Sequence, residues 1–509
     1  MRAELFMSSI VVLRGVSFEL PNGRTLFSDV DLTLEDELSA LVGVNGVGKT
    51  VLASIVAGEI PPTSGQVQRT STIVRLPQRE QPPPISVGEY LAADYVWSRL
   101  GERLLSGVDC KLSCTSLSGG QWMRVRLARV LCGDFSILDE PTNDLDRDGR
   151  EAVRDYLRSK RGGALLISHD RECLALCDVV LELSNQGIAK HSGGWAKYLQ
   201  SKSGERERAE ARLTLAKRER DRVLADSAAK QAAQERRNRR GAETAGHGGA
   251  PRLLLGARKR RAQQTSGKLH IAANERAQAA LGAARTALTQ MKLEPVIDAD
   301  ITGASVPAQK LIAQASGFNI LLGEWLYETD LNFTWRGNTR VALRGPNGSG
   351  KSTLLKALLG AKFQTRGMLS RGNLSTLYID QLCGFLDDGK SILDQVRDHT
   401  AENADRTRDA LARFLFTGDD VFQKVGELSG GERLRVALAC GFLQSGTREL
   451  LLLDEPTNNL DLPNIEFLER IIREFRGAVV IVSHDDTFLQ GCEVWEELLL
   501  SSAIAPGTQ

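Results

Sequence analysis

Each half of the chain alternates short, continuously apolar runs with stretches of helical periodicity. "ELSALVGV" and "TRVALRGP" each lead into a glycine-rich loop. "FSILDE" and "LLLLDE" come later, and "GALLISHD" and "GAVVIVSHD" follow them. Apolar runs without polar alternation belong to strands buried on both faces. With crossover helices between them they predict a largely parallel, doubly covered sheet.

The same strings recur in the same order. "GVNGVGKT" at 43–50 returns as "GPNGSGKS" at 345–352, "LSGGQ" at 117–121 as "LSGGE" at 428–432, and "ILDEPTNDLD" at 137–146 as "LLDEPTNNLD" at 452–461. The offsets for Lys49/Lys351, Ser118/Ser429 and His169/His484 are 302, 311 and 315 residues. Near-constant offsets predict a duplicated domain of roughly 190 residues, with halves at 1–195 and 305–509.

Between them, residues 196–304 change character. Residues 203–240 and 257–293 are rich in Ala, Arg, Glu and Lys and read as two long helices, with "GAETAGHGGAPRLLLG" as the tip of a hairpin. Residues 196–293 hold 23 Lys and Arg against 9 Asp and Glu, so a chain of net charge +1 carries +14 there and −13 elsewhere. A solvated spacer does not need that asymmetry, whereas a nucleic-acid partner uses it.

Composition narrows the class further. With 42% hydrophobic and 25% charged residues, the 509-residue chain is an ordinary globular one, too long for a single core. No apolar run approaches the ~20 residues of a membrane span, and the start shows no signal-peptide pattern. Met7 is an alternative start to Met1. The eight cysteines form no framework: Cys110/Cys114 and Cys173/Cys177 have no opposing His or Cys cluster and read as buried thiols. A cytoplasmic protein is expected.

GxxxxGK[ST] between a strand and a helix surrounds phosphates with loop amides and a helix N-terminus. Gly43, Asn45, Gly46 and Gly48 form one such loop, and Gly345, Asn347, Gly348 and Gly350 the other. Lys49 and Lys351 would reach the β- and γ-phosphates, and Thr50 and Ser352 would ligand Mg2+. Asp139 and Asp454 each close a strand where a carboxylate can hold that ion through water. Glu140 and Glu455 follow at once and can polarise an attacking water.

With these loops, "LSGGQ" and "LSGGE", and both "SHD" strings, about four-fifths of the chain resembles the ATP-binding cassette superfamily. The resemblance implies an α/β fold: two tandem P-loop cassettes joined by a basic α-helical hairpin, pairing head to tail within one chain, without an obligate oligomer. It also implies two composite ATP sites. One combines Lys49, Gln78, Asp139, Glu140 and His169 with Ser429, Gly430 and Gly431. The other combines Lys351, Gln381, Asp454, Glu455 and His484 with Ser118, Gly119 and Gly120. Gln78 and Gln381 join Thr50, Ser352 and the aspartates as Mg2+ ligands. Asp146 and Asp461 would sit where the halves meet. Phe18 and Phe318, 25 and 27 residues ahead of their loops, are candidates for adenine stacking or for the core. Both sites carry every catalytic residue and are expected to hydrolyse ATP.

The twin cassettes, "DEPTN-LD" and the charged hairpin narrow the resemblance to the ABC-F branch, whose members bind the ribosome. That implies contact with rRNA and tRNA. The basic residues flanking the tip, Arg236, Arg237, Arg239, Arg240, Arg258, Lys259, Arg260 and Arg261, are the expected RNA contacts. Only 69 residues separate Lys49 from Ser118, against 78 in the second half, which leaves no room for the extra arm of some members. The chain ends 25 residues after His484, too soon for a C-terminal coiled coil. Leu253, Leu254 and Leu255 give the tip little aromatic bulk, which favours a housekeeping translation factor over an antibiotic-resistance protein. A transporter ATPase subunit and a DNA-repair cassette are the alternatives from other classes.

Overall fold

The computed structural model describes residues 11–92, 99–131, 133–160, 162–184, 187–245, 305–400, 404–444, 448–458 and 460–501. The chain divides into two compact units, Met1–Tyr198 with Ile297–Gln509, and Leu199–Val296.

The first unit contains both repeats. In the first repeat the strands are β1 (Val11–Glu19), β2 (Thr25–Leu34), β3 (Leu38–Val42), β4 (Ser64–Arg69), β5 (Ile73–Leu76), β6 (Phe135–Asp139), β7 (Ala164–Ile167), β8 (Val179–Ser184) and β9 (Gly187–Ser192). The main sheet runs β5-β6-β7-β3-β8-β9, parallel except for β9, while β2-β1-β4 form a smaller antiparallel sheet. In the second repeat they are β10 (Leu311–Leu322), β11 (Glu324–Trp325), β12 (Leu331–Arg336), β13 (Arg340–Arg344), β14 (Gln364–Arg371), β15 (Thr376–Ile379), β16 (Leu450–Asp454), β17 (Ala478–Val482) and β18 (Glu496–Leu499). Here β15-β16-β17-β13-β18 is wholly parallel, and β10 pairs with β11, β12 and β14 in the antiparallel sheet.

Every residue of β6, β7, β16 and β17 is buried, which is why these strands read as unbroken apolar runs. One face packs under the helix after each glycine-rich loop, Lys49–Ala57 or Lys351–Leu359. The other packs under Gly119–Val130 or Gly430–Leu443. The order β6-β7-β3 sets three strand ends side by side, so the loop after β3, the acidic pair after β6 and the histidine after β7 converge at one edge.

The helix expected from residue 203 begins at Gly194 and continues to Ala245, taking in the first five residues assigned to the tip. Its start is anchored: Trp195 is buried in the first repeat's core and stacks on Tyr198 at 5.1 Å. Gly241 does not end it, because the surrounding Arg, Ala and Glu residues favour helix. Arg236, Arg237, Arg239 and Arg240 lie on this helix, and Arg236 is exposed. The rest of the tip, the second helix, and Arg258, Lys259, Arg260 and Arg261 lie outside the described residues. Among the described cysteines, Cys110 departs from the buried expectation: it is exposed in the turn before Cys114, while the other six are buried.

Candidate functional site

The loop Gly43–Lys49 leaves β3 and turns into its helix through Gly48 at φ 105°. Gly43 lies so close to β8 that a Cβ there would meet the Leu183 carbonyl at 2.5 Å, and at Gly345 it would meet the Leu500 carbonyl at 2.3 Å. These close approaches, rather than turn geometry alone, demand glycine. Lys49 Nζ donates to the Gly43 carbonyl at 2.7 Å, and Lys351 Nζ to the Gly345 and Pro346 carbonyls at 2.8 and 3.0 Å. Both ammonium groups are buried, and desolvation lowers both pKa values against the pull of nearby carboxylates.

Asp139 ends β6 fully buried, with Oδ1 3.4 Å from the Thr50 hydroxyl and Oδ2 2.8 Å from Arg75 Nη2. Asp454 ends β16 buried, with Ser352 and Tyr378 close enough to act on its carboxyl. The next residues, Glu140 and Glu455, adopt left-handed backbone at φ 47° and 46°. A non-glycine residue held there in both repeats marks a position that the surroundings over-determine. The Glu140 amide donates to the Ile167 carbonyl at 2.8 Å and the Glu455 amide to the Val482 carbonyl at 2.9 Å, fixing each turn against its neighbouring strand.

Burial pushes both carboxyls up, Glu455 to about 7, while Lys49 and Lys351 pull the other way. His169 Nε2 lies 3.2 Å from Glu140 Oε1, and His484 Nε2 lies 3.5 Å from Glu455 Oε1 without hydrogen-bond alignment. Burial drives both imidazoles down, His484 to about 4, so both are neutral near pH 7.

The halves meet here. A cavity of about 490 Å³ is walled by Asn45, Lys49, Thr50, Gln78, Asp139, Glu140 and His169 of the first repeat and by Ser429 and Gly430 of the second. Ser429 caps the helix Gly430–Leu443 through the Glu432 amide, and Ser118 caps Gly119–Val130 through the Gln121 amide. Gly431 is not in that wall. It packs within its own repeat, where a Cβ would meet Asn464 at 2.2 Å, and Gly120 likewise faces Asp146.

Across the interface, Asp461 Oδ2 accepts from the Asn45 amide at 3.1 Å. Around the second loop Asp146 acts through its charge on Lys351 and His484, and the hydrogen bonds come from Asp144, two residues before it. The Asp144 carboxylate accepts from Gln381 at 3.1 Å and Asn458 at 3.3 Å, and its carbonyl from Asn347 at 3.0 Å. Arg171 adds a bond to Glu469 at 2.7 Å.

Neither phenylalanine lines the cavity. Phe318 is 3% exposed in the core, and Phe18 packs against the first repeat's core. Leu20 and Arg24, from the turn joining β1 and β2, and Leu26 at the start of β2 form that wall instead. Sequence reasoning missed them, as it missed Asp144 and Arg75. The "DLD" string after Asn143 is the signal that could have raised Asp144.

The residues fit a nucleotide with its divalent cation. Each repeat offers one strand-end carboxylate beside a hydroxyl, too few groups to cage an ion alone but enough to share it with phosphates. The Asn143 amide nitrogen, buried and without a partner among the described residues, belongs to a residue of the cavity wall. A glycine-rich loop, a strand-end Asp-Glu and a capped SGG helix, twice over and sharing one interface, define a pair of ATP-binding cassettes.

Comparison with known proteins agrees. Residues 27–143 and 329–458 each match the family described as "ABC transporter". The chain is 31% identical over 95% of its length to the ATP-binding protein Uup of Caulobacter vibrioides, covering 75% of that protein. It is 26% identical to the ribosome protection protein VmlR of Bacillus subtilis, over 95% of this chain and 85% of that one. It is 28% identical to ABC transporter F family member 5 of Arabidopsis thaliana, over 94% and 73%. The archaeal ribosome recycling factor aABCE1, crystallised with stalk protein aP1, shares the fold with a TM-score of 0.58 at 17% identity, over 95% of this chain and 87% of that one. The chain belongs to the ABC-F family of twin-cassette ATPases.

Proposed function

We propose that this chain is a ribosome-associated ATPase in which ATP closes the two cassettes, the closed form places the basic hairpin near tRNA and rRNA to modulate translation, and hydrolysis releases it. One observation carries the ATPase part: Ser429 and Gly430 of the second repeat wall the cavity that holds Lys49, Asp139 and Glu140 of the first. A ligand filling that cavity touches both halves, so its γ-phosphate decides whether they stay together. The name of the relative VmlR supports the ribosome as the partner, as does the charge of residues 196–293. Among the described residues no helix is long and apolar enough to cross a membrane.

In the first site the amides of Gly46, Gly48 and Lys49 bind the phosphates together with the Lys49 ammonium group, and the amides of Ser429 and Gly430 reach the γ-phosphate from the opposite side. Gly345, Gly348, Gly350 and Lys351 act likewise in the second, facing Ser118 and Gly119. Thr50, Asp139 and Gln78, or Ser352, Asp454 and Gln381, would hold Mg2+, which neutralises charge on the β- and γ-oxygens. Glu140 or Glu455 takes the proton of the attacking water as its oxygen bonds to the γ-phosphorus and the bond to the ADP oxygen breaks, giving ADP and phosphate. Neutral His169 or His484 orients that carboxylate. Both sites turn over.

The test uses Glu140→Gln with Glu455→Gln, which keeps shape and removes the base. This variant should co-sediment with ribosomes in sucrose gradients with ATP and not with ADP. Sedimentation apart from ribosomes in both nucleotides would overturn the ribosomal reading. Likeness to VmlR favours a second reading, protection of ribosomes against an antibiotic; expression that raises drug tolerance of a susceptible host would select it over the housekeeping factor.

A further inference from the structure

The two aspartates that end the central strands differ in what holds them from behind. Arg75 lies on β5, beside β6, in register with Ile137. Its guanidinium contacts Asp139 Oδ2 at 2.8 Å and donates to the Ser54 hydroxyl at 2.7 Å. It also pairs with Glu59. The Arg75 side chain is 9% exposed and that of Asp139 is fully buried, so little water screens this pair. Glu59 is half exposed and offsets the arginine charge less.

The second repeat builds the same place without a contacting cation among the described residues. Tyr378 takes the register position of Arg75, paired with Leu452, and presents a neutral phenol to Asp454. Lys356 replaces Ser54 and Ala361 replaces Glu59. Lys356 is exposed and acts on Asp454 at a distance, through solvent. Arg75 therefore places a fixed positive charge against one carboxylate oxygen in the first site, and the second has a hydroxyl there. A cation arriving at Asp139 shares a carboxylate already neutralised and meets a guanidinium that cannot deprotonate.

We propose that Arg75 is a positioning residue that makes the first nucleotide site hold its divalent cation more weakly than the second, so that the two sites differ in their demand for Mg2+. The inference rests on the reading of both sites as ATP sites. Outer contacts of a metal-binding carboxylate shift metal affinity by about 10- to 100-fold, and the difference between the sites should reach about tenfold. As cation concentration rises, the second site fills first.

The experiment uses the full chain carrying Glu140→Gln and Glu455→Gln, with one equivalent of ATP per site, titrated with Mn2+ and followed by electron paramagnetic resonance of the protein-bound ion. Two phases with midpoints about tenfold apart are expected. Adding Arg75→Tyr should merge them at the tighter midpoint, and Tyr378→Arg alone should merge them at the weaker one. Thermal melting checks that each variant folds; should Arg75→Tyr not fold, Tyr378→Arg decides. A single phase in the parent, or two phases unmoved by the folded variants, would overturn the assignment to Arg75 while leaving the ATP sites standing. No ATP-dependent Mn2+ binding would overturn the ATP-site reading itself, and the inference with it.

Discussion

The two nucleotide sites share a backbone and differ in their surroundings. Both have a lysine turned onto its own loop carbonyls, a left-handed glutamate and a serine-capped SGG helix. Around that frame the first site backs its aspartate with Arg75 and takes Asp461 onto the Asn45 amide. The second backs its aspartate with Tyr378 and receives Asp144 on Asn347, Gln381 and Asn458. Arg150 of the first repeat also acts on Glu455 across the interface, where the second repeat has Ile465. Duplication has kept the residues proposed to bind phosphate and let the charges one layer out diverge, so equal chemistry does not imply equal affinity.

The largest break in the comparison should come from the bases. Each of Glu140→Gln and Glu455→Gln alone should remove turnover at its own site, and the pair should lower kcat by about 10²–10⁴-fold in a phosphate-release assay. Single variants that lose unequal shares would measure how far the sites have diverged. In Glu140→Gln, where the second site turns over alone, the pH profile follows Glu455. Burial raises its carboxyl to about 7, and below that pH the group carries a proton and cannot accept another. kcat should therefore fall about tenfold per pH unit on the acid side.

Asp144→Ala removes the second site's cross-interface acceptor. Two carboxylate hydrogen bonds are lost at about 1 kcal/mol each, so half-saturation by ATP should rise about 30-fold at the second site with the first unchanged, read by equilibrium binding to the two single Glu→Gln variants. Arg171→Ala should have the smallest effect, about 1–2 kcal/mol in a melting experiment, because Glu469 is left buried without its partner. The loss should shrink in Arg171→Ala with Glu469→Gln.

Much of this was legible in the chain because it is local. A P-loop, a strand-end Asp-Glu and an SGG helix start are each contiguous, and continuous apolar runs such as "LLLLDE" announce strands covered on both faces. What failed was non-local. Arg75 and Asp139 lie on neighbouring strands with a helical segment of the chain between them, and Asp144 meets Gln381 237 residues away. Distance from the loop left Phe18 and Phe318 open between adenine and the core, because that measure is blind to which strand face a ring occupies. For Phe318 that face is the core, and in the first repeat the cavity wall falls to Leu20, Arg24 and Leu26 rather than Phe18. Gly431 looked like its two neighbours in "SGG", but one step along a helix turns a residue through ~100° and carries it from the cavity to Asn464.

In the proposed arrangement each nucleotide site is completed by the other repeat. Photolabelling with 8-azido-ATP, mapped by mass spectrometry, tests it in the Glu140→Gln, Glu455→Gln chain with Ser429→Arg added. Ser429 lies in the second repeat, yet label should vanish from the first and stay on the second. Loss of label from the second repeat, with the first untouched, would mean that Ser429 serves its own repeat and that the sites are not shared.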